Sequence, residues 1–377
     1  MEILPEILKN KKVCLVTDWL TNLGGAEKVL KLVASQFPDA PIYTTVANKD
    51  NIGDLADHEI RTSRLQKIPG ASKKHQFLLP LLAGAIESLD VSEFEVVLSF
   101  SSAFAKGIKT NKNQMHLCYI HTPIRYAWEP DFDPRVERLP GILKPSARRS
   151  LEKIRKWDYE TRHRPDHYIA NSSMTQERVL RYYGFKPEAL YPPVKVSDFR
   201  GIKKEEVLEN FIAVGRLVPY KKFDMIAQAF QKMPQYQLEI IGDGPERSSI
   251  EFIVKESPNI KMLGRLSHEK LINKFVQSRA LILPQVEDAG IVQLEAFAAG
   301  TPVVAYEAGG VRDVLQEGIN GVFFQEQSME GICRGVEDFV SRESSFSATD
   351  IKKTVEAYDE SVFLEKYLSI LEHQWNK

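Results

Sequence analysis

A chain of 377 residues is longer than one typical hydrophobic core can organise, so two domains are expected. Hydrophobic residues at 43% and charged residues at 27% suit a soluble globular protein, and a net charge of −1 argues against a general nucleic-acid binder. The charge is unevenly spread: residues 1–200 sum to roughly +6 and residues 201–377 to roughly −7, which predicts two faces with different partners.

Cys14, Cys118 and Cys333 are far apart and form no metal or redox spacing; the first two sit in apolar runs and are expected as buried free thiols in a reducing compartment. The start, MEILPEILKNKK, has no apolar core of signal-peptide length. The apolar run from Phe77 to Ile86, interrupted by Pro80 and Gly84, is too short to span a bilayer.

In chain order, KVCLVT (Lys12 to Thr17) reads as a buried strand, and Gly24-Gly25 opens a helix whose apolar positions are Val29, Leu30, Val33 and Phe37. Strand, glycine turn, helix is the first unit of a doubly wound sheet, with ligands expected at the strands' carboxyl edge. The two glycines would let a ligand approach the backbone closely, but they lack the GxGxxG spacing of a dinucleotide binder. Strand-like runs recur at 42–46, 94–100, 115–120 and 168–171, predicting a parallel sheet covered on both faces. Two basic stretches, 61–86 and 144–164, mix cations with apolar residues. Either is a candidate for an anionic membrane surface, or an ordinary amphipathic helix with a solvated basic face.

The string HTPIRYAW (His121 to Trp128) follows the run at 115–120 and puts His121 at the same carboxyl edge. Arg125 can bind an acceptor phosphate or form a structural ion pair, and Tyr126 stands beside it. Tyr191-Pro192-Pro193-Val194 closes the first domain, and the charged run 195–210 reads as a linker.

The second domain opens with a strand at 211–214, then GRLVPYKK, where Arg216 and Lys221 lie just past the strand end and could clamp a diphosphate. A further strand at 238–241 ends in GDGP, which begins with Gly242. The strand at 280–284 feeds the most informative stretch, EDAGIVQLEAFAAGTPVVAY. Glu287 lies on a loop, Gly290 and Ile291 open a helix, and Glu295 is placed on the second turn of that helix. Gly300 and Pro302 end the helix, and a strand begins at Val303. Free N–H groups at the helix start favour an anion, and a carboxylate can accept from both hydroxyls of a vicinal diol. A sugar, a diphosphate and a ribose laid in line would meet Glu287, the helix start and Glu295 in turn. The residues 362–375 are helical in pattern.

Glu287 and Glu295, with Gly309, Gly310 and DVLQEGINGVFF, resemble the Glu-x7-Glu region of retaining glycosyltransferases of family 4 (GT4), which have the GT-B fold. GGAE at Gly24 to Glu27, HTPIRYAW, Asn171-Ser172-Ser173, GRLVPYK and GDGP extend the resemblance over most of the chain. HTPIRYAW is similar to a motif of bacterial GDP-mannose-dependent mannosyltransferases of surface polysaccharide assembly. One departure is Ala289, where the family usually has an aromatic residue.

The resemblance implies an α/β fold of two Rossmann-like domains facing a cleft. An acceptor domain spans 1–194, a linker 195–210 and a nucleotide-sugar domain 211–355, and a helix within 356–377 crosses back onto the first domain. It implies catalytic roles for His121, Glu287, Arg216 and Lys221. Donor binding falls to Gly24, Gly25, Gly215, Gly242, Gly264, Arg265, Gly290, Ile291 and Glu295, with Arg125 and Tyr126 toward an acceptor. Met262-Leu263-Gly264-Arg265 would be the loop over the base. A hexose, first of all mannose from GDP-mannose, would pass with retention to a glycan or lipid-linked acceptor in cell-surface polysaccharide or glycolipid synthesis. With Arg216 and Lys221 on the diphosphate, no obligatory metal or other cofactor is expected. The expected location is cytoplasmic, with docking on the inner face of the plasma membrane open. Alternatives are a UDP-sugar donor, a nucleotide-sugar 2-epimerase of the same fold, and a non-catalytic scaffold related to these enzymes.

Overall fold

A computed structural model describes residues 4–129, 136, 139–202 and 210–377. The first three residues of the N-terminal stretch and 203–209 of the expected linker lie outside the described residues. The chain forms two compact units, Met1–Pro192 with Ser361–Lys377, and Pro193–Glu360.

The described residues of the first unit form seven parallel strands: Val13–Thr17 (β1), Ile42–Thr44 (β2), Ile60–Thr62 (β3), Val96–Ser101 (β4), Met115–Ile120 (β5), His167–Ala170 (β6) and Glu188–Ala189 (β7). Their order in the sheet is β3-β2-β1-β4-β5-β6-β7. The order reverses between β1 and β4, the switch point outside which doubly wound sheets bind ligands. β1 is buried at all five positions because helices cover both faces, which is why KVCLVT reads as a continuous apolar run. β3 and β7 escaped the sequence reading; they are edge strands of three and two residues with no buried position.

The helix Glu360–Trp375 belongs to this unit's core. Phe363, Tyr367, Leu368 and Leu371 are buried in it at helical spacing, and the Tyr367 ring stacks on Phe100 of β4.

The second unit repeats the plan with Asn210–Val214 (β8), Gln237–Ile241 (β9), Ile260–Gly264 (β10), Leu281–Leu283 (β11), Val303–Tyr306 (β12) and Gly321–Phe324 (β13). The order is β10-β9-β8-β11-β12-β13, again all parallel, reversing between β8 and β11. Residues 193–202 are counted in this unit. Val194 N–H donates to the Tyr358 carbonyl at 2.9 Å, and Phe199 is buried. Cys14 and Cys118 are buried free thiols, and Cys333 is half-buried. No helix among the described residues is long and apolar enough to cross a membrane.

Candidate functional site

In the second unit the expected donor-site residues gather at the carboxyl ends of β8 and β11. Gly215 follows β8 with φ +153°, and Gly242 follows β9 with φ +143°. Their backbones interlock: Gly215 N–H donates to the Ile241 carbonyl and Gly242 N–H to the Gly264 carbonyl, at 3.0 and 2.9 Å. A Cβ on Gly242 would overlap the Gly215 carbonyl oxygen, so that side chain is absent to admit a neighbouring backbone.

Lys221 ends the short turn Pro219–Lys221, and its Nζ lies 2.8 Å from Glu287 Oε1. Burial disfavours the ammonium, but Glu287 and, more weakly, Glu295 offset this, holding the Lys221 pKa above the ordinary lysine value. Lys222 instead takes the left-handed conformation, φ +57°, before the next helix.

Glu287 stands on the loop after β11. Its carbonyl accepts from Gly310 N–H at 2.9 Å. A side chain on Gly310 would overlap the Asp288 carbonyl oxygen, which explains why two bare glycines lie beside the motif. Glu287 Oε2 is 2.9 Å from where a Gly290 side chain would begin, and Gly290 has φ +74°. The Glu287 carboxylate is thus set between an ammonium and a bare turn. The helix runs Val292–Ala299 with Ile291 at its cap, which corrects one detail: Glu295 is the fourth helical residue, on the first turn rather than the second. It is half-buried, and Gly300 ends the helix at φ +77° as read from the sequence.

One other point differs from the sequence reading. Met262 to Gly264 is not a loop but the end of β10, with Arg265 exposed immediately after it. Arg216 is exposed. Gln293, passed over in the sequence, is buried, and its amide donates to the Ala289 carbonyl at 2.6 Å, bracing the turn. Ala289 is itself buried against Gly310, a seat that a small residue fills. Among the described residues no group of three or more His, Cys, Asp or Glu side chains could hold a metal ion.

In the first unit His121 follows β5, anchored by its N–H to the Ser101 carbonyl and by Thr175 Oγ1 to its own carbonyl, at 2.8 and 3.0 Å. The ring meets Tyr119 edge-on at 5.1 Å. Its Nε2 is buried without a hydrogen-bond partner among the described residues, and burial lowers the imidazole to about 4, so it is neutral at physiological pH. Gly24 caps the helix Gly25–Ala34: its N–H donates to Glu27 Oε2 at 2.9 Å. Only this half of a capping box exists, because glycine has no side chain to return the bond.

Arg125 pairs with Glu129 at 3.7 Å, the structural alternative of the two considered. Arg178 also engages Glu129, at 3.0 Å. Two residues that the sequence did not single out brace this edge. Asp18 accepts from the N–H groups of Ser102, Phe104 and Ala105 at 2.6–2.7 Å, tying β1 to β4 at the switch point. Burial raises its pKa to about 6 despite these bonds. Asp158 is fully buried; it pairs with Lys106 at 3.1 Å and accepts from Trp128 Nε1 and Tyr183 OH at 2.6 and 2.8 Å. It fixes the end of the HTPIRYAW segment.

Two family models match: Glycosyltransferase Family 4 over residues 23–197 and Glycosyl transferases group 1 over residues 197–356. Together the two models match residues 23–356. The Arabidopsis thaliana sulfoquinovosyl transferase SQD2 is 32% identical over 123 residues, 32% of this chain and 24% of the relative. A Corynebacterium glutamicum GDP-mannose-dependent monoacylated alpha-(1-6)-phosphatidylinositol monomannoside mannosyltransferase is 34% identical over 113 residues, 26% and 30% of the two chains. An uncharacterized glycosyltransferase of Haemophilus influenzae is 22% identical over 378 residues, 96% and 100%. The chain spans less than half the length of the first curated relatives it matches. Among solved structures, sucrose-phosphate synthase of Thermosynechococcus elongatus aligns with TM-score 0.74 at 15% identity, covering 98% and 100%. Anabaena Alr3699/HepE in complex with UDP and glucose aligns with TM-score 0.71 at 15% identity, covering 96% and 100%. The fold is GT-B.

Proposed function

We propose that this chain is a glycosyltransferase that moves a hexose from a nucleotide sugar with retention at the anomeric carbon. The observation that carries the reading is the Lys221–Glu287 pair at 2.8 Å beside Gly290, at the β8/β11 switch point. Lys221, Arg216 and the N–H groups at the start of Val292–Ala299 would hold the diphosphate, Glu295 the ribose diol, and Glu287 hydroxyls of the sugar. The anomeric carbon–oxygen bond to phosphate breaks, and the acceptor oxygen bonds to that carbon from the same face. The acceptor proton passes to the departing phosphate, whose developing charge Lys221 and Arg216 stabilise. The proposal includes no obligatory divalent metal. Neutral His121 can hydrogen-bond a sugar hydroxyl without a charge of its own.

GDP-mannose is the proposed donor, supported by the HTPIRYAW string and by the printed specificity of the Corynebacterium relative. The acceptor class is a glycan or lipid-linked molecule of the cell surface, with the chain docked on the inner face of the membrane. A UDP-sugar is the second reading, favoured by the UDP held in the HepE structure. The test is incubation with GDP-mannose or UDP-glucose in EDTA, following nucleoside diphosphate release and the configuration of the freed sugar. GDP release with α-mannose formed first supports the whole reading, and UDP release replaces the donor. Intact, epimerised nucleotide sugar would make the chain an isomerase, and no reaction with either donor would overturn catalysis.

A further inference from the structure

Within the first unit lies a groove of about 850 Å³, inside the roughly 300–1,000 Å³ range of small-molecule pockets. One wall is Phe77, Leu79, Pro80 and Ala83, from the helix Leu79–Glu87 and the turn before it. The facing wall is one stripe of the helix Lys144–Glu160 and its approach: Leu143, Ala147, Leu151, Ile154 and Trp157. Tyr126, five residues past His121, also lines it. Large apolar side chains stand in solvent here, Phe77 at 82% exposure and Ile142, next to Leu143, at 89%. Such exposure concentrated beside a groove marks a binding surface.

The groove is not uniformly apolar. Ser146, Arg149, Ser150 and Lys153 line it from the adjoining stripe of the same helix, so two cations and two hydroxyls flank a hydrocarbon slot. Arg149 and Lys153 are exposed, and among the described residues that line the groove none is acidic. That charge pattern complements an anion attached directly to an apolar chain.

We propose that this groove binds a phosphate-bearing lipid, with its hydrocarbon chain between the two walls and its phosphate at Arg149 and Lys153. The lipid is the acceptor that the transferase glycosylates. The acceptor role rests on the functional reading above, whereas the binding itself does not.

The test titrates the full chain with decyl phosphate, decanol and inorganic phosphate below micelle formation, read by calorimetry and by the emission of Trp157 in the wall. GDP and UDP binding is measured on the same samples. Decyl phosphate binds at least about tenfold more tightly than decanol or phosphate. Ala147→Trp, which fills the slot, and Phe77→Ser, at an exposed position, each weaken decyl phosphate about tenfold or more. Arg149→Ala with Lys153→Ala removes the preference for decyl phosphate over decanol.

Nucleotide binding without decyl phosphate binding, or variants that bind it like wild type, would overturn the groove and leave the transferase reading intact. Lipid binding without nucleotide binding supports the groove and removes the acceptor role. A dimer in sedimentation that Phe77→Ser dissolves would make the groove an interface between copies and overturn the proposal.

Discussion

Lys221 Nζ and Glu287 Oε1 lie 2.8 Å apart although 66 positions separate them in sequence, because each stands on the loop leaving one of the two strands that flank the sheet's reversal. Both are only partly accessible, with side-chain exposures of 14% and 19%. A ligand with a diphosphate would meet the ammonium; one with sugar hydroxyls would meet the carboxylate.

Lys221→Met should therefore lower kcat/KM for the donor by about 10²–10³, the range for loss of one preorganised charge-stabilising group. Stability should fall far less, since Glu287 keeps some solvent access. Steady-state kinetics and urea unfolding of the same preparation check this. A Lys221→Met enzyme with near-normal turnover would remove the residue from the chemistry.

Gly242→Ala should destabilise by about 2–4 kcal/mol, from the left-handed φ and from overlap with the Gly215 carbonyl. Denaturant midpoints measure it. A neutral effect would mean that the β8 and β9 turns separate easily.

Breaking the buried Lys106–Asp158 pair from one side, as Lys106→Met, should cost about 3–5 kcal/mol, because the buried Asp158 carboxyl group would lose its cationic partner. Asp158→Asn with Lys106→Met should cost less than the two single changes added together, since neither charge is then stranded. A double-mutant cycle by chemical unfolding reads the coupling.

Acid should weaken the fold through histidine. His121 and His116 are lowered by burial from 6.5 to about 4 and about 3, so the unfolded chain takes up their protons first. Their contribution is complete above pH 6.5 and is lost as pH falls toward those values, by about 1.4 kcal/mol per pH unit per proton. Asp18 acts oppositely. Burial raises it from 3.8 to about 6, so its contribution is complete below 3.8 and is lost as pH rises through 6. Between pH 6 and 5, His121→Asn should flatten the stability curve and Asp18→Asn should steepen it.

Local chemistry was readable in the sequence. Gly300 ends its helix where a left-handed residue was expected, and the 287–306 stretch carries turn, helix and strand in the predicted sequence. Lys221 rather than Lys222 faces Glu287, in line with the motif's register. What escaped depends on long-range packing. Nothing local marks Lys106 as the partner of Asp158, 52 positions later, or says that the Asp18 carboxylate would hold the 102–105 backbone. The groove escaped for the same reason: its walls come from two stretches that each read as a separate basic, amphipathic segment. The exposed Arg216 shows the converse, a motif residue whose surroundings do not bury it.

The most direct measurement is binding of GDP, UDP and ADP by calorimetry, in EDTA, to wild type and to Glu295→Ala. One nucleoside diphosphate, GDP first, is expected to bind at micromolar affinity, weakened at least about tenfold by Glu295→Ala while the fold is retained. Preference for UDP would keep the site and replace the donor. No binding of any of the three, or binding indifferent to Glu295, would contradict the claim that this loop and helix hold a nucleotide sugar.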